Sequence, residues 1–207
     1  MKSSTRIANL LLDIKAVTFN FTKPYLYTFA SGIKGPMYCD NRRILSYPDK
    51  RTIVVDEVRK VVKKLRFDIM GGVSTAGIPW AVLIAERLHK PVIYIRPEPK
   101  GYGKKRQVEG DMKKDDIVLV LDDLISTGKS AISVINAIRE NGGKVTDCVS
   151  IFTYNLDIAK KNFKKIKCNL HPLLTLSDLI EVAINKKYLD TKEKDQLLKW
   201  QKNPRKY

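Results

Sequence analysis

The segment from Val118 to Ser130 constrains this chain most, because thirteen consecutive residues have the pattern of a strand, a loop and a helix start. Its first four residues are apolar, as in a parallel strand that is buried on both faces. Two adjacent acids, Asp122 and Asp123, follow at the carboxyl end of that strand, where open α/β sheets bind their ligands. The apolar, helix-compatible run 131–138 comes directly after the turn.

The turn between this strand and helix has the composition of a phosphate-binding loop. Residues 126–130 offer backbone N–H groups, hydroxyls and a helix N-terminus, which together suit a phosphate group. The two acids would repel a phosphate but suit sugar hydroxyls or a hydrated Mg²⁺, which takes oxygen ligands. The segment therefore predicts a site for a phosphorylated sugar bound with a metal ion. A Walker A loop is excluded, because that motif needs a glycine where Asp123 stands.

The composition is that of one globular domain with small additions. The 207 residues are 43% hydrophobic and 29% charged, which are ordinary values for globular proteins. No apolar run approaches the roughly 18 residues of a membrane span. Residues 1–17 have the spacing of an amphipathic helix, and three scattered cysteines fit neither a metal site nor an even disulfide set. We expect a cytoplasmic protein with reduced thiols and no membrane contact.

The net charge of +17 has three explanations: a lysine-rich solvated surface, attraction of polyanionic small substrates, or nucleic-acid binding. The lysines are spread along the chain, with a concentration in residues 186–206. No basic block is interleaved with aromatic residues, as a single-strand binder would require. The solvated surface is favoured first and substrate attraction second, so nucleic acid is the least favoured partner.

Alternating strands and helices predict an α/β fold with a doubly wound, mainly parallel sheet and right-handed crossovers. Residues 25–40 carry short extended pieces broken by glycine and proline, and predict a small hairpin or hood beside the main domain. The expected organisation is a helix and the hood in residues 1–45, an α/β core in 46–175 and C-terminal helices in 176–207. Strands are predicted within 67–72, 92–96 and 145–153 and in the Val118 segment, and later helices at 52–65, 78–88, 131–138, 155–163, 176–184 and 191–200.

Two further segments have the composition of anion-binding loops. Gly71–Pro79 is rich in small residues at another strand-to-helix junction, where backbone N–H groups can hold a pyrophosphate. Arg96–Gly110 combines three glycines with four basic residues between Lys100 and Arg106. Such loops close over anions, exclude water and neutralise charge during a reaction.

These segments resemble the type I phosphoribosyltransferases and, within them, the orotate phosphoribosyltransferase family. The resemblance rests on Ser31–Arg42, Gly72–Pro79, the Arg96 loop with its Gln107–Gly110 ending, and the Asp122-Asp123 signature. They follow the family's order and spacing from about residue 18 to residue 155. The resemblance implies transfer of phosphoribosyl from phosphoribosyl pyrophosphate to N1 of orotate. The products would be orotidine monophosphate and pyrophosphate, in pyrimidine (UMP) synthesis.

The resemblance also implies roles for individual residues. Lys100, Asp122 and Asp123 form the implied catalytic set, with the two acids facing the ribose hydroxyls. Mg²⁺ would arrive bound to phosphoribosyl pyrophosphate, without a direct protein ligand. The implied binding residues for that substrate are Arg96, Lys100, Tyr102, Asp122, Asp123, Leu124, Ile125, Ser126, Thr127, Gly128, Lys129 and Ser130. Ser126 and Tyr154 are the implied orotate contacts, and a homodimer would share its sites through the Arg96 loop.

Some positions depart from the family pattern. Tyr102 stands where a histidine is common, and Ala30 where many bacterial members have a lysine. Tyr154 occupies the position of an arginine that faces the orotate carboxylate in the same group. Two alternatives stay open: a purine or xanthine phosphoribosyltransferase, and a nucleic-acid-binding regulator on the same fold. The hood and the Gln107–Gly110 ending argue against the first, and only the positive charge supports the second.

Overall fold

The computed structural model describes residues 2–22, 27–29, 31–98 and 107–205. The strands within these ranges are β1 (Val17–Phe19), β2 (Tyr27–Thr28), β3 (Lys34–Gly35), β4 (Met37–Cys39), β5 (Ile69–Val73), β6 (Val92–Ile95), β7 (Val108–Glu109), β8 (Val118–Ile125), β9 (Asp147–Thr153) and β10 (Asn169–Thr175). Six of them form one sheet in the order β10-β9-β8-β5-β6-β7. All pairs in it are parallel except the short edge strand β7, which runs antiparallel to β6.

Helices cover both faces of this sheet, which confirms the predicted doubly wound α/β fold. The helices are α1 (Ser3–Asp13), α2 (Pro48–Val62), α3 (Gly77–Leu88), α4 (Lys129–Glu140), α5 (Asp157–Lys165), α6 (Leu176–Asn185) and α7 (Thr191–Lys202), with a 3₁₀ helix at Asn41–Ser46. Helices α1, α2, α3, α6 and α7 contribute to one apolar core, and α4 and α5 to the other. Because both faces are covered, central strands such as β5 are buried along their whole length.

Two predicted helix boundaries were wrong. The N-terminal helix ends at Asp13, because Lys15 adopts a left-handed φ of 54° and Ala16 N–H donates to Leu11 O. Val17 then begins β1. The second helix begins at Pro48, four residues before the predicted start, since proline is tolerated in the first turn.

Strand β10 was missed by the sequence analysis. It contains Pro172, and proline argues against an interior strand because it lacks the N–H that a ladder needs. Among the strands that the structure describes, β10 lies at the edge of the sheet and pairs only with β9, so the missing donor is tolerated there.

The predicted hood consists of two small antiparallel pairings, β2 with β3 and β4 with β1. Trp200 of α7 packs under it, and its Nε1 donates to Lys34 O at 2.7 Å. The indole lies so close to Gly35 that a Cβ there would stand 2.8 Å from the ring. The C-terminal helix therefore fixes the height of the hood above the sheet. Within the ranges described, no helix is long and apolar enough to cross a membrane.

Candidate active site

One cavity of about 370 Å³ lies at the carboxyl edge of the sheet, between the hood and two strand-to-helix loops. Ser74–Ala76 connects β5 to α3, and Ser126–Gly128 connects β8 to α4. The two loops meet because β5 and β8 are parallel neighbours in the sheet. Among the predicted site residues, all of 122–130 and Tyr154 line this cavity.

The two acids lie at the end of β8 in an environment that opposes their ionisation. Asp122 is only 7% exposed, and its Oδ1 accepts a hydrogen bond from Asp123 N–H at 2.9 Å. Burial raises the pKa of Asp122 well above its usual value, and the charge of Asp123 raises it further. Burial also raises the pKa of Asp123, although the nearby positive charge of Arg42 opposes that rise. The pair is thus suited to hydroxyl groups or a cation-bearing ligand that restores the lost solvation.

The loop between β8 and α4 has the features of a phosphate-binding turn. Gly128 has a φ of 80°, and a Cβ there would meet the Phe163 ring at 2.8 Å, so this turn requires glycine. Asn162 of α5 braces the turn by donating to Thr127 O at 3.1 Å. The hydroxyl of Ser126 is buried without a hydrogen-bond partner. With the N-terminus of α4 beside it, the loop forms a cradle for a phosphate.

The loop after β5 faces the same cavity. Ser74 N–H donates to Ile95 O at 2.8 Å, while the Ser74 hydroxyl is buried and lacks a partner. The peptide bond between Ser74 and Thr75 is cis. This loop therefore adds a second set of small and polar residues to the lining of the cavity.

We expect Gly77→Ala to destabilise the fold and disturb the site. A Cβ at Gly77 would lie 2.5 Å from Leu121 O and 3.3 Å from the Cα of Asp122, so α3 and β8 would have to separate. Overpacking of this kind costs about 1–3 kcal/mol. Denaturant unfolding and turnover should both decline. Val82→Ala, on the exposed face of the same helix, should change stability by less than about 0.5 kcal/mol. An unchanged unfolding midpoint for Gly77→Ala would contradict the requirement for a bare backbone here.

Sequence reasoning missed the functional placement of the 3₁₀ helix beside the hood. Asn41 is 1% exposed, and its Nδ2 donates to Asp123 O at 2.7 Å, so it ties this helix to the acid-bearing strand. Its Oδ1 accepts from Cys39 Sγ at 3.3 Å. Arg42 lines the cavity. The resemblance of the whole segment to a family was the only sequence signal for these residues.

Tyr154 lies in an aromatic cluster at the base of the cavity. It is 1% exposed, stacks on Phe29 at 4.8 Å and meets Trp200 edge-on at 5.5 Å. Burial raises the pKa of its hydroxyl well above the usual value, and that hydroxyl hydrogen-bonds the main chain of Cys39. The tyrosine therefore stays neutral and offers a ligand no charge.

The residues of the Arg96 loop that were predicted to bind pyrophosphate are not among those described at the cavity. The Arg96 guanidinium lies 3.6 Å from Glu109 Oε1 and 5.9 Å from the Tyr94 ring centre. Arg96 is not among the residues described around the cavity, although it stands at the base of the loop that was predicted to close over it. Lys100 and Tyr102 lie outside the described residues.

Neither of the two histidines is among the residues that line the cavity. His171 Nε2 contacts Asp147 Oδ1 at 2.7 Å on the edge of the sheet. His89 ends α3 with a left-handed φ of 51°.

Two acids at the end of a central parallel strand, a phosphate cradle at the next helix and a covering hood define a type I phosphoribosyltransferase. The chain is 48% identical over 206 residues to the orotate phosphoribosyltransferase of Coxiella burnetii, covering 99% of this chain and 98% of that protein. It belongs to the orotate phosphoribosyltransferase family. A search with protein-family models found no match.

Solved structures show the same architecture. The UMP synthase of Leishmania donovani superposes with a TM-score of 0.81 at 28% identity, over 96% of this chain and 42% of that one. The orotate phosphoribosyltransferase of Aeropyrum pernix superposes with a TM-score of 0.73 at 29% identity, over 84% of this chain and 97% of that one.

Proposed function

We propose that this protein transfers phosphoribosyl from 5-phospho-α-D-ribose 1-diphosphate to N1 of orotate, giving orotidine monophosphate and pyrophosphate. The observation that carries the proposal is the single cavity in which the Asp122–Asp123 pair and the α4 phosphate cradle meet. The name of the Coxiella relative supports orotate as the acceptor base. The three free, buried cysteines fit a reducing cytoplasm, which we propose as the location.

The ribose half of the substrate fits the β8–α4 junction. We assign the ribose hydroxyls to Asp122 and Asp123, because carboxylates accept hydroxyl hydrogen bonds and these two are poorly solvated without a ligand. The 5′-phosphate is assigned to residues 124–130, because they line the cavity and include the unpartnered hydroxyl of Ser126 and the start of α4. These contacts would hold C1′ of the ribose in a fixed position while the base approaches.

The leaving pyrophosphate requires positive charge. Breaking the bond at C1′ leaves an oxocarbenium-like ribose and a departing polyanionic pyrophosphate, so preorganised cations lower the barrier. We assign this positive charge to Arg96 and Lys100, and we assign Tyr102 as a neutral hydrogen-bonding contact to the pyrophosphate. Lys100 and Tyr102 would be supplied by the partner subunit of a homodimer. The site also suits substrate-borne Mg²⁺. The ranges described contain no group of three metal-ligating side chains, and Mg²⁺ commonly binds through substrate phosphates with few protein ligands. The ion would neutralise charge on the diphosphate.

The acceptor base fits the hood side of the cavity. Phe29 and Tyr154 provide aromatic surface there, and Ser126 lines the same cavity with a hydroxyl that lacks a hydrogen-bond partner. We assign Ser126 and Tyr154 as orotate contacts. The protein has to position N1 behind C1′, and the N1–H proton of orotate is released to solvent as the N1–C1′ bond forms and pyrophosphate leaves.

A parallel assay with several bases tests the proposal. Purified protein would receive phosphoribosyl pyrophosphate and Mg²⁺ with orotate, uracil, adenine, hypoxanthine or xanthine, and turnover would be followed by absorbance. We expect turnover with orotate alone. Turnover with a purine instead would keep the ribose-phosphate site and overturn the choice of base. Absence of turnover with every base, together with salt-dependent RNA binding, would favour a regulator.

We expect Lys100→Ala to lower kcat strongly while changing orotate affinity little. The lysine is assigned to the charge that develops on pyrophosphate, so its removal affects the transition state more than the bound base. Steady-state kinetics and orotate titration would separate the two effects. Lys113→Ala, an exposed lysine beyond the loop, serves as the charge-matched control and should retain turnover.

The same variant tests the shared site. If Lys100 acts in the partner's cavity, mixed dimers of Lys100→Ala with Asp123→Asn contain one cavity with both groups intact, and mixing the two variants should restore part of the activity. Full turnover by Lys100→Ala alone would show that the loop is not catalytic. Lack of restoration in verified mixed dimers would place the lysine in its own subunit's site.

A further inference from the structure

The base region of the cavity needs a positive charge that the assigned contacts do not provide. Orotate differs from uracil by a ring carboxylate, so a protein that selects orotate must favour that group. Tyr154, which stands where the family resemblance places an arginine, is buried and neutral. This inference rests on the proposed function, since it concerns how the same cavity distinguishes its base.

Two of the described residues around the cavity are cationic, Arg42 and Lys129. Lys129 is the first residue of α4 and lies beside the phosphate cradle. Arg42 belongs to the hood side of the lining, where it hydrogen-bonds Tyr38 and Asp40. Charge placement therefore separates the cavity into a phosphate end with a lysine and a base end with an arginine.

Arg42 is held in place by its surroundings. The preceding residue, Asn41, is buried and donates to Asp123 O, which fixes the backbone beside the acid-bearing strand. The Arg42 Nε pairs with Asp40 Oδ1 at 2.6 Å, and Nη2 donates to the Tyr38 hydroxyl at 3.3 Å. The side chain is nonetheless 60% exposed. An arginine that is oriented by neighbours and open to solvent loses little conformational freedom when it binds a ligand.

The guanidinium keeps donors for a second anion. Arginine carries five N–H donors, and the contacts to Asp40 and Tyr38 engage two of them. The remaining N–H groups lie on the two terminal nitrogens, which is the edge that pairs with a carboxylate through two parallel hydrogen bonds. The salt bridge to Asp40 raises the pKa of Arg42, so the charge is permanent.

We propose that Arg42 binds the ring carboxylate of orotate and makes the base site selective for this acid over uncharged pyrimidines. Asn41 acts as the positioning residue, because it anchors Arg42 to the strand that carries the ribose-binding acids. The neutral Tyr154 then contributes aromatic surface and a hydroxyl beneath the base, without a second charge. The electrostatic attraction at the base end comes from the hood side of the cavity.

The test compares Arg42→Gln with Arg43→Gln. Arg43 is the adjacent exposed arginine of the same 3₁₀ helix and does not line the cavity, so it is a matched control for net charge. A charge-assisted pair typically changes binding by roughly 10- to 100-fold. We expect Arg42→Gln to raise the KM for orotate by roughly that factor. The KM for phosphoribosyl pyrophosphate should stay within about twofold, and Arg43→Gln should change neither.

An uncharged analogue separates the carboxylate contact from a structural effect. Orotamide, measured as an inhibitor, should have a lower affinity than orotate for the unaltered protein. In Arg42→Gln the difference between the two ligands should largely disappear. Arg42→Lys keeps the charge but loses the forked geometry, so it should recover part of the orotate preference and fold normally. Thermal unfolding of all variants should coincide within a few degrees.

The outcomes distinguish the two proposals. Turnover of orotate by Arg42→Gln with an unchanged KM would overturn the role of Arg42 and leave the proposed function standing. Loss of affinity for phosphoribosyl pyrophosphate with an unchanged preference for orotate over orotamide would also overturn it, because the arginine would then act through Asp123. Turnover of another base by the unaltered protein would overturn the proposed function itself.

Discussion

The double variant Asp122→Asn with Asp123→Asn should abolish turnover and remain folded. Both acids lie in the cavity at the carboxyl end of β8, where we assign them to the ribose hydroxyls. The amide groups keep the size of the side chains but lose the negative charge that stabilises an oxocarbenium-like ribose. Turnover with orotate and phosphoribosyl pyrophosphate, measured beside circular dichroism, would check both parts of the expectation.

The raised pKa of both acids predicts the sign of the change in stability that the double substitution causes. Burial raises the pKa of both acids in the folded protein, so the native state holds their protons more tightly than the unfolded chain does. An acid with a raised pKa contributes stability at low pH, and that contribution is lost as the pH rises through its unfolded pKa towards its folded pKa. At neutral pH the two carboxylates therefore destabilise the fold. The double variant should melt at the same temperature as the unaltered protein or higher, and its advantage should disappear in acid.

Surface acids provide the control for this comparison. Asp111→Asn with Glu140→Gln removes the same charge from exposed positions, and it should change neither turnover nor the pH dependence of unfolding. Retained turnover in the Asp122 and Asp123 double variant would contradict the site assignment. A marked fall in its neutral-pH melting temperature would instead show that the acids hold the fold together.

Trp200→Ala should cost about 3–5 kcal/mol of unfolding free energy, the usual range for deleting a fully buried aromatic side chain. The indole is 0% exposed, meets Phe29 edge-on at 5.8 Å and donates to Lys34 O. Its removal leaves a void under the hood and an unpaired carbonyl. Because Phe29 also lines the cavity, we expect weaker orotate binding as well. Denaturant unfolding and orotate kinetics would measure the two effects.

Two further variants separate the contribution of the Trp200 side chain from that of the exposed surface of α7. Trp200→Phe keeps an aromatic ring but loses the hydrogen bond to Lys34 O and part of the buried ring volume, so it should cost less than Trp200→Ala and more than about 1 kcal/mol. Lys199→Ala changes the exposed neighbour on the same helix and should be close to neutral. Orotate kinetics that are unaffected by Trp200→Ala, in protein that is still folded, would show that the hood keeps its place without support from α7.

The sequence identified those structural elements whose patterns are formed by residues close together in the chain. The continuous apolar run before Asp122 indicated a buried parallel strand, and the same segment supplied the acids and the phosphate turn of the cavity. Small residues between Gly71 and Pro79 indicated a second strand-to-helix loop on an adjacent strand, and β5 and β8 do pair. Such local patterns are readable because strand and helix periodicities arise from the backbone itself.

Tertiary structure alone decided the contacts between distant residues. Asn41 reaches Asp123 across 82 positions, and Trp200 reaches Lys34 across 166, and no local pattern marks either pair. The edge position of β10 made Pro172 acceptable in a strand. Burial, which raises the pKa of the acids and keeps Tyr154 neutral, is a property of the packed fold. The sequence by itself determined which chemical groups the site contains. The packing of chain segments far apart in sequence decided their orientation and charge, because solvation and long-range contact exist only once the chain has folded.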